Sequence, residues 1–176
     1  MKESFPETLI EKIEQSASKI IFSLKKGKKI LICGCGGSAS DSQHFAAELV
    51  SKYKLERKAL PAIALTVNSS IVTAISNDYS FKTVFSRQIE ALGGPGDILF
   101  AISTSGNSEA VLEALKCAKK QTMYSIGLTG EGGGKMKECC DLSLNVPSKE
   151  TPRIQESHIL IIHIICELVE KAFYEK

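Results

Sequence analysis

Tryptophan is absent from this 176-residue chain, and aromatic residues make up only 6% of it. Single-stranded nucleic acids are held by stacking on aromatic faces, so a base-stacking function is excluded as a first reading. An excess of one charge is also lacking: 22 basic residues stand against 20 acidic ones, a net charge of +2. That balance gives no electrostatic reason to expect nucleic acid or an anionic membrane as partner. Long apolar runs are missing. The longest, near Ile159–Val169, is interrupted by His163 and Glu167 and is too short and too polar to span a bilayer. No apolar stretch follows the opening Met-Lys-Glu-Ser-Phe-Pro-Glu, so no signal peptide is expected, and the expected compartment is the cytoplasm. The six cysteines, at 33, 35, 117, 139, 140 and 166, make no C-x-x-C pair; reduced thiols are expected rather than disulfides or a zinc knuckle.

What is present is a chain with 43% hydrophobic and 24% charged residues, ordinary for one globular domain with a full core. Apolar positions at helical spacing (Phe5, Leu9, Ile10, Ile13, Ile20, Ile21, Leu24) predict a long amphipathic helix over 5–26. Short apolar strands are expected at 28–33, 61–65, 97–103, 123–128 and 142–146. Helices are expected at 38–53, 69–75, 81–92, 108–121, in a short stretch ending at Cys139, and at 152–174. Ser76-Asn77-Asp78-Tyr79 reads as a break between two helices. Strands that are almost wholly apolar and alternate with helices predict an α/β fold: a five-stranded parallel sheet covered on both faces, three layers in a flavodoxin-like arrangement. Ligands of such sheets bind outside the carboxyl ends of the strands.

Two loops fall at that edge. The first is Gly34-Cys35-Gly36-Gly37-Ser38; the second is Ser103-Thr104-Ser105-Gly106-Asn107-Ser108. Each joins a buried strand to a helix. Small hydroxyls and approachable backbone N–H groups can hold a phosphate ester without a basic side chain. Capping a helix needs one hydroxyl, which Ser108 could supply, but the second loop carries four. A small phosphorylated metabolite is therefore the expected ligand, with Gly36, Gly37, Ser38, Ser103, Thr104, Ser105 and Ser108 as its binders.

The first loop also fits G-x-G-x-x-[G/A]. A dinucleotide site would need a carboxylate at the end of the second strand, and that strand ends Ala64-Leu65-Thr66-Val67-Asn68. No Gly-Lys-[Ser/Thr] follows, so a Walker loop is excluded.

His44 and Glu48 lie four apart on the helix after the first loop, on one face. The pair reads either as half of a zinc site or as an ordinary helix pair. On the last helix, His158 and His163 differ by about 140° and cannot share a face. Gln155 and His163 are eight residues apart, roughly 12 Å along a straight helix. That distance strains a shared metal within one chain and suggests a site completed by a neighbouring subunit.

The two loops, together with Gln43-His44-Phe45-Ala46-Ala47-Glu48-Leu49, Ser76-Asn77-Asp78-Tyr79, Phe85-Ser86-Arg87-Gln88 and Arg153-Ile154-Gln155-Glu156-Ser157-His158, resemble the sugar-isomerase (SIS) domain, and more narrowly the phosphoheptose isomerase family. The likeness runs from about residue 28 to the end. It implies one SIS domain over 1–176, with the helix of 1–27 used in packing a homotetramer whose active sites lie between subunits. It implies an aldose–ketose isomerase that converts sedoheptulose 7-phosphate to D-glycero-D-manno-heptose 7-phosphate through an enediol. That is the first step towards ADP- or GDP-heptose for lipopolysaccharide or capsule. It selects Glu48 and His163 as the catalytic pair, Asn77, Asp78 and Gln155 as further substrate binders, and His44, Glu48, Gln155 and His163 as ligands of one Zn²⁺ per subunit. His158 is left as a hydrogen-bonded interior or interface histidine. Cys35 departs from the family, which usually has Asn there. The competing reading is a non-catalytic SIS-domain protein that binds a phosphosugar or associates with a replication initiator; retention of both Glu48 and His163 argues for catalysis.

Overall fold

The computed structural model describes residues 5–174, so the outermost residues of the expected 1–176 domain and of its 1–27 helix lie outside the described residues. The chain runs α1 (Glu7–Lys25), β1 (Ile30–Gly34), α2 (Gly37–Val50), β2 (Ala62–Ala64), α3 (Ser69–Asp78), a 3-10 turn (Phe81–Thr83), α4 (Val84–Leu92), β3 (Ile98–Ser103), α5 (Glu109–Lys120), β4 (Tyr124–Thr129), α6 (Met136–Cys139), β5 (Leu142–Asn145) and α7 (Thr151–Tyr174). All five strands are parallel, in the order β2-β1-β3-β4-β5. The sheet and its flanking helices are those the apolar pattern predicts.

Each central strand is apolar throughout because both its faces are covered. Ile30, Ile32, Ile98, Phe100 and Ile102 face a core shared with α1, α2 and α7. Leu31, Cys33, Leu99 and Ala101 face a second core under α4 and α5. Phe45 of α2 meets Phe100 of β3 edge to face, with centroids 5.0 Å apart, which locks α2 against the sheet. The register pairs Gly34 with Ile102, so β1 and β3 end side by side and their loops emerge at one level. β1 lies between β2 and β3, where connections leave in opposite directions; this switch point is where the fold opens a crevice.

Three predicted boundaries move: the helix expected over 38–53 stops at Val50, that over 81–92 opens as a 3-10 turn, and the break after α3 comes later. Ser76, Asn77 and Asp78 belong to α3, which ends at Asp78. The Ser76 hydroxyl donates to the Val72 carbonyl at 2.6 Å, so it is satisfied inside the helix and does not break it. The break comes two residues later than Asn77: Tyr79 caps the helix at φ −128° and ψ −86°, and Ser80 Oγ accepts from Lys82 N to start the 3-10 turn. Among the described residues no helix is long and apolar enough to cross a membrane.

Candidate active site

The first loop turns through Gly36 at φ +60°, a conformation that favours glycine, with open space where a Cβ would stand. α2 then starts at Gly37 with no side-chain cap, leaving its N-terminal dipole towards the crevice. Ser38 is buried beneath the turn, with its backbone N–H on the Cys35 carbonyl at 3.1 Å.

The second loop leaves β3 through the buried Ser103, whose hydroxyl lies 3.5 Å from that of Ser105. Gly106, at φ +65°, packs its backbone against Gly133. Asn107 is taken up by the loop: its amide donates to Ser105 O at 2.9 Å, and its side-chain oxygen accepts from Lys135 N at 3.1 Å. Ser108 stands at the N-cap position of α5, yet its hydroxyl makes no cap bond. It faces Cys35 Sγ instead, at 3.5 Å, and so bridges the two loops. The capping role expected of Ser108 is thus not what the hydroxyl does; it is turned to the crevice. Two uncapped helix starts and a set of hydroxyls therefore converge where β1 and β3 end, an arrangement that suits a phosphate.

Along α2 from this cradle, His44 Nε2 lies 2.9 Å from Glu48 Oε1 and 3.4 Å from His163 Nε2. The three donor atoms lie within 4.8 Å of one another. All three come from one chain, because α7 runs alongside α2 in the same direction. Gln155 meets Gly37 at the start of α2, and His163 meets His44 two turns on. The pairing of Glu48 with His163 thus needs no neighbouring subunit, whereas Gln155 sits at the start of α2. Two imidazole nitrogens that face each other beside a carboxylate fit a cation of the zinc type, which takes N and O donors. The Tyr53 ring tilts over His163, 5.6 Å between centroids.

The remaining expected residues are placed as follows. Asn77 and Asp78 are exposed at the end of α3, with the Asn77 amide donating to Asp78 Oδ1 at 2.8 Å. Two arginines of the runs that carry the resemblance are engaged as well: Arg153 pairs with Glu156 at 2.8 Å, and Arg87 lies 4.2 Å over the Tyr79 ring. His158 is fully buried, but neither ring nitrogen closes a hydrogen bond. Burial pushes its pKa down to about 4. It is an interior histidine, as expected, without the expected partner. Cys33 is also buried, and burial first, then Cys35, pushes its thiol up.

Sequence reasoning missed Arg57, Glu170 and Tyr53. Arg57 and Glu170 form an ion pair at 2.8 Å with side chains 1% and 3% exposed. Their only signal in sequence is charge near apolar helix residues, which does not distinguish them from surface residues.

A profile of the SIS domain matches residues 1–130. A phosphoheptose isomerase of Campylobacter concisus is 59% identical over 165 residues, which cover 94% of this chain and 87% of that protein. One from Clostridium acetobutylicum is 56% identical over 165 residues, covering 94% and 84%. The solved structure of a phosphoheptose isomerase from Neisseria gonorrhoeae superposes with a TM-score of 0.88 at 48% identity, covering 93% of this chain and 87% of that one. With the hydroxyl cradle at the switch point and a His–Glu–His group beside it, these likenesses establish that the chain belongs to the SIS-domain family and, within it, to the phosphoheptose isomerases.

Proposed function

We propose that the chain isomerises sedoheptulose 7-phosphate to D-glycero-D-manno-heptose 7-phosphate, the entry to nucleotide-activated heptose. One observation carries this reading: Glu48 and His163 face the same small space, with a phosphate cradle at the start of the helix that bears Glu48. From Gly37 to His44 the helix rises about 10 Å, about the span from C1 to the phosphorus of an extended seven-carbon 7-phosphate. An ester held by Ser103, Thr104, Ser105, Ser108 and the Gly36-Gly37-Ser38 turn thus sets C1 and C2 near the carboxylate.

Glu48 takes the C1 proton of the ketose, and the electron pair forms the enediol. His163 moves a proton from one hydroxyl oxygen to the other, and C2 is reprotonated, which leaves an aldose. Oε1 of Glu48 is engaged by His44, so its second oxygen is the one free for carbon chemistry. Asn77 and Asp78 bind sugar hydroxyls in this reading, and Gln155 orients the substrate from above Gly37.

His44, Glu48 and His163 would hold one Zn²⁺ per subunit, and the resemblance adds Gln155 as a fourth ligand. When bound, the ion supplies polarisation of the carbonyl and stabilises the negative charge that develops on oxygen. A homotetramer with sites between copies belongs to the same reading. It is supported by apolar surface on one chain: Phe22 of α1 is 63% exposed and Val67 is 60% exposed. A groove of about 310 Å³ between α2 and β2, lined by Ala46, Ala47, Val50 and Ile63, adds to it.

The test is incubation with sedoheptulose 7-phosphate in deuterated water. Deuterium at C2 of the aldose product and exchange at C1 of the ketose are expected. Binding of the ester with no exchange at either carbon would leave the non-catalytic phosphosugar-binding protein as the answer.

A further inference from the structure

Nothing in the sequence ties Arg57 or Glu170 to chemistry, yet their buried pair is wired into the His–Glu–His group. Arg57 Nε donates to Glu170 Oε1 at 2.8 Å. The rest of the guanidinium closes the end of α2: Nη2 donates to the Glu48 carbonyl at 2.7 Å and Nη1 to the Leu49 carbonyl at 2.9 Å. Glu170, seven residues past His163 on α7, accepts from the backbone N–H groups of Tyr53, Lys54 and Leu55 at 3.1, 2.8 and 3.0 Å. This strap carries the Tyr53 ring that lies over His163. Burial pushes the Glu170 carboxyl up, but Arg57 and the three N–H groups outweigh it and hold the group below the usual carboxylate range.

A buried ion pair is a poor way to stabilise a corner that apolar side chains could fill. Its value lies in direction: each bond fixes the orientation of one helix relative to the other. We infer that Arg57 and Glu170 are positioning residues that set the distance between Glu48 on α2 and His163 on α7, with Tyr53 as the wedge that holds the His163 ring. The reaction needs this because the carbon base and the oxygen acid sit on different helices, and a drift of about 1 Å between them can cost 100-fold in rate. The inference rests on the isomerase reading for its kinetic arm only; the metal arm stands apart from it.

The experiment uses the full chain with Glu170→Gln and, separately, Tyr53→Leu. Zinc affinity is measured by competition with a chromophoric chelator, and kcat and KM with sedoheptulose 7-phosphate. Glu170→Gln is expected to weaken zinc about 10-fold, the scale for groups that orient metal ligands, and to lower kcat by a similar factor. KM should stay within about twofold, since the cradle lies at the other end of α2. Tyr53→Leu keeps the backbone bonds to Glu170, so it should melt with the parent and still lose severalfold in zinc affinity and kcat. A folded Glu170→Gln protein with parental zinc affinity and kcat, or one whose KM rises as much as kcat falls, overturns the inference. If Glu170→Gln does not fold, Tyr53→Leu decides, and parental values there overturn it. A parent that binds zinc but leaves the ketose unchanged refutes the isomerase reading, and the zinc arm then decides alone. A parent that does neither overturns both.

Discussion

Gly106→Ala tests whether the phosphate cradle is built as described. Gly106 sits at φ +65°, and a Cβ there would press into the Gly133 carbonyl, 2.6 Å from its carbon and 3.0 Å from Gly134 N. The obstacle is backbone, and it is held: Met136 N donates to Gly106 O at 3.0 Å, and Gly130 N to Thr104 O at 2.9 Å. Left-handed backbone costs an alanine about 1 kcal/mol. Overpacking against a fixed partner adds about 1–3 kcal/mol. The sum, about 2–4 kcal/mol, corresponds to a fall in Tm of about 4–16 °C for a chain of this length. The displaced loop also moves Ser105, so KM for the phosphorylated ketose should rise at least tenfold. Gly27→Ala is the control. It follows α1 at φ +72° with open space around the added carbon, so only the left-handed backbone cost of about 1 kcal/mol applies. Thermal unfolding of both variants, followed by steady-state kinetics, makes the comparison. A Gly106→Ala protein that melts no lower than Gly27→Ala refutes the close approach of the two loops as the cause.

Glu48→Gln should fold as the parent does and lose deuterium exchange at C1 altogether; parental exchange would remove Glu48 as the base. His158 makes stability depend on pH. Its folded pKa of about 4 lies below the unfolded value of 6.5, so the unfolded chain binds a proton that the folded chain refuses. Stability should therefore fall as pH drops from 6.5 towards 4, by on the order of 3 kcal/mol in total. Urea midpoints at pH 7 and pH 5 should show the loss in the parent and a smaller one in His158→Leu, and equal losses would count against it. Alkylation of Cys35, 3.5 Å from Ser108 Oγ, should block binding of the ester, while the Cys35→Ser protein, treated with the same reagent, should keep it. Full activity after modification of Cys35 would contradict its place in the cleft.

The sheet was legible because burial on both faces demands apolar strands, and runs such as Ile30-Leu31-Ile32-Cys33 can satisfy little else. The two loops were legible because hydroxyls and glycines between a strand and a helix leave a local trace. The end of α3 was not. Ser76 reads as a breaker, and only its bond to Val72 turns it into a helix residue. Nor was the use of Ser108, since a cap and a ligand-facing hydroxyl share one sequence position and differ only in rotamer.

By itself, then, the sequence determined the parallel sheet, the edge at which the two hydroxyl-rich loops emerge and the residue types gathered there, all consequences of local pattern and burial. Tertiary structure decided which of those residues meet. The parallel course of α2 and α7 brings His163 to His44 and Glu48 within one chain and leaves Gln155 at Gly37. It also joins Arg57 to Glu170 across 113 residues. Such contacts depend on how two helices pack over a sheet, and no periodicity along the chain carries that distance.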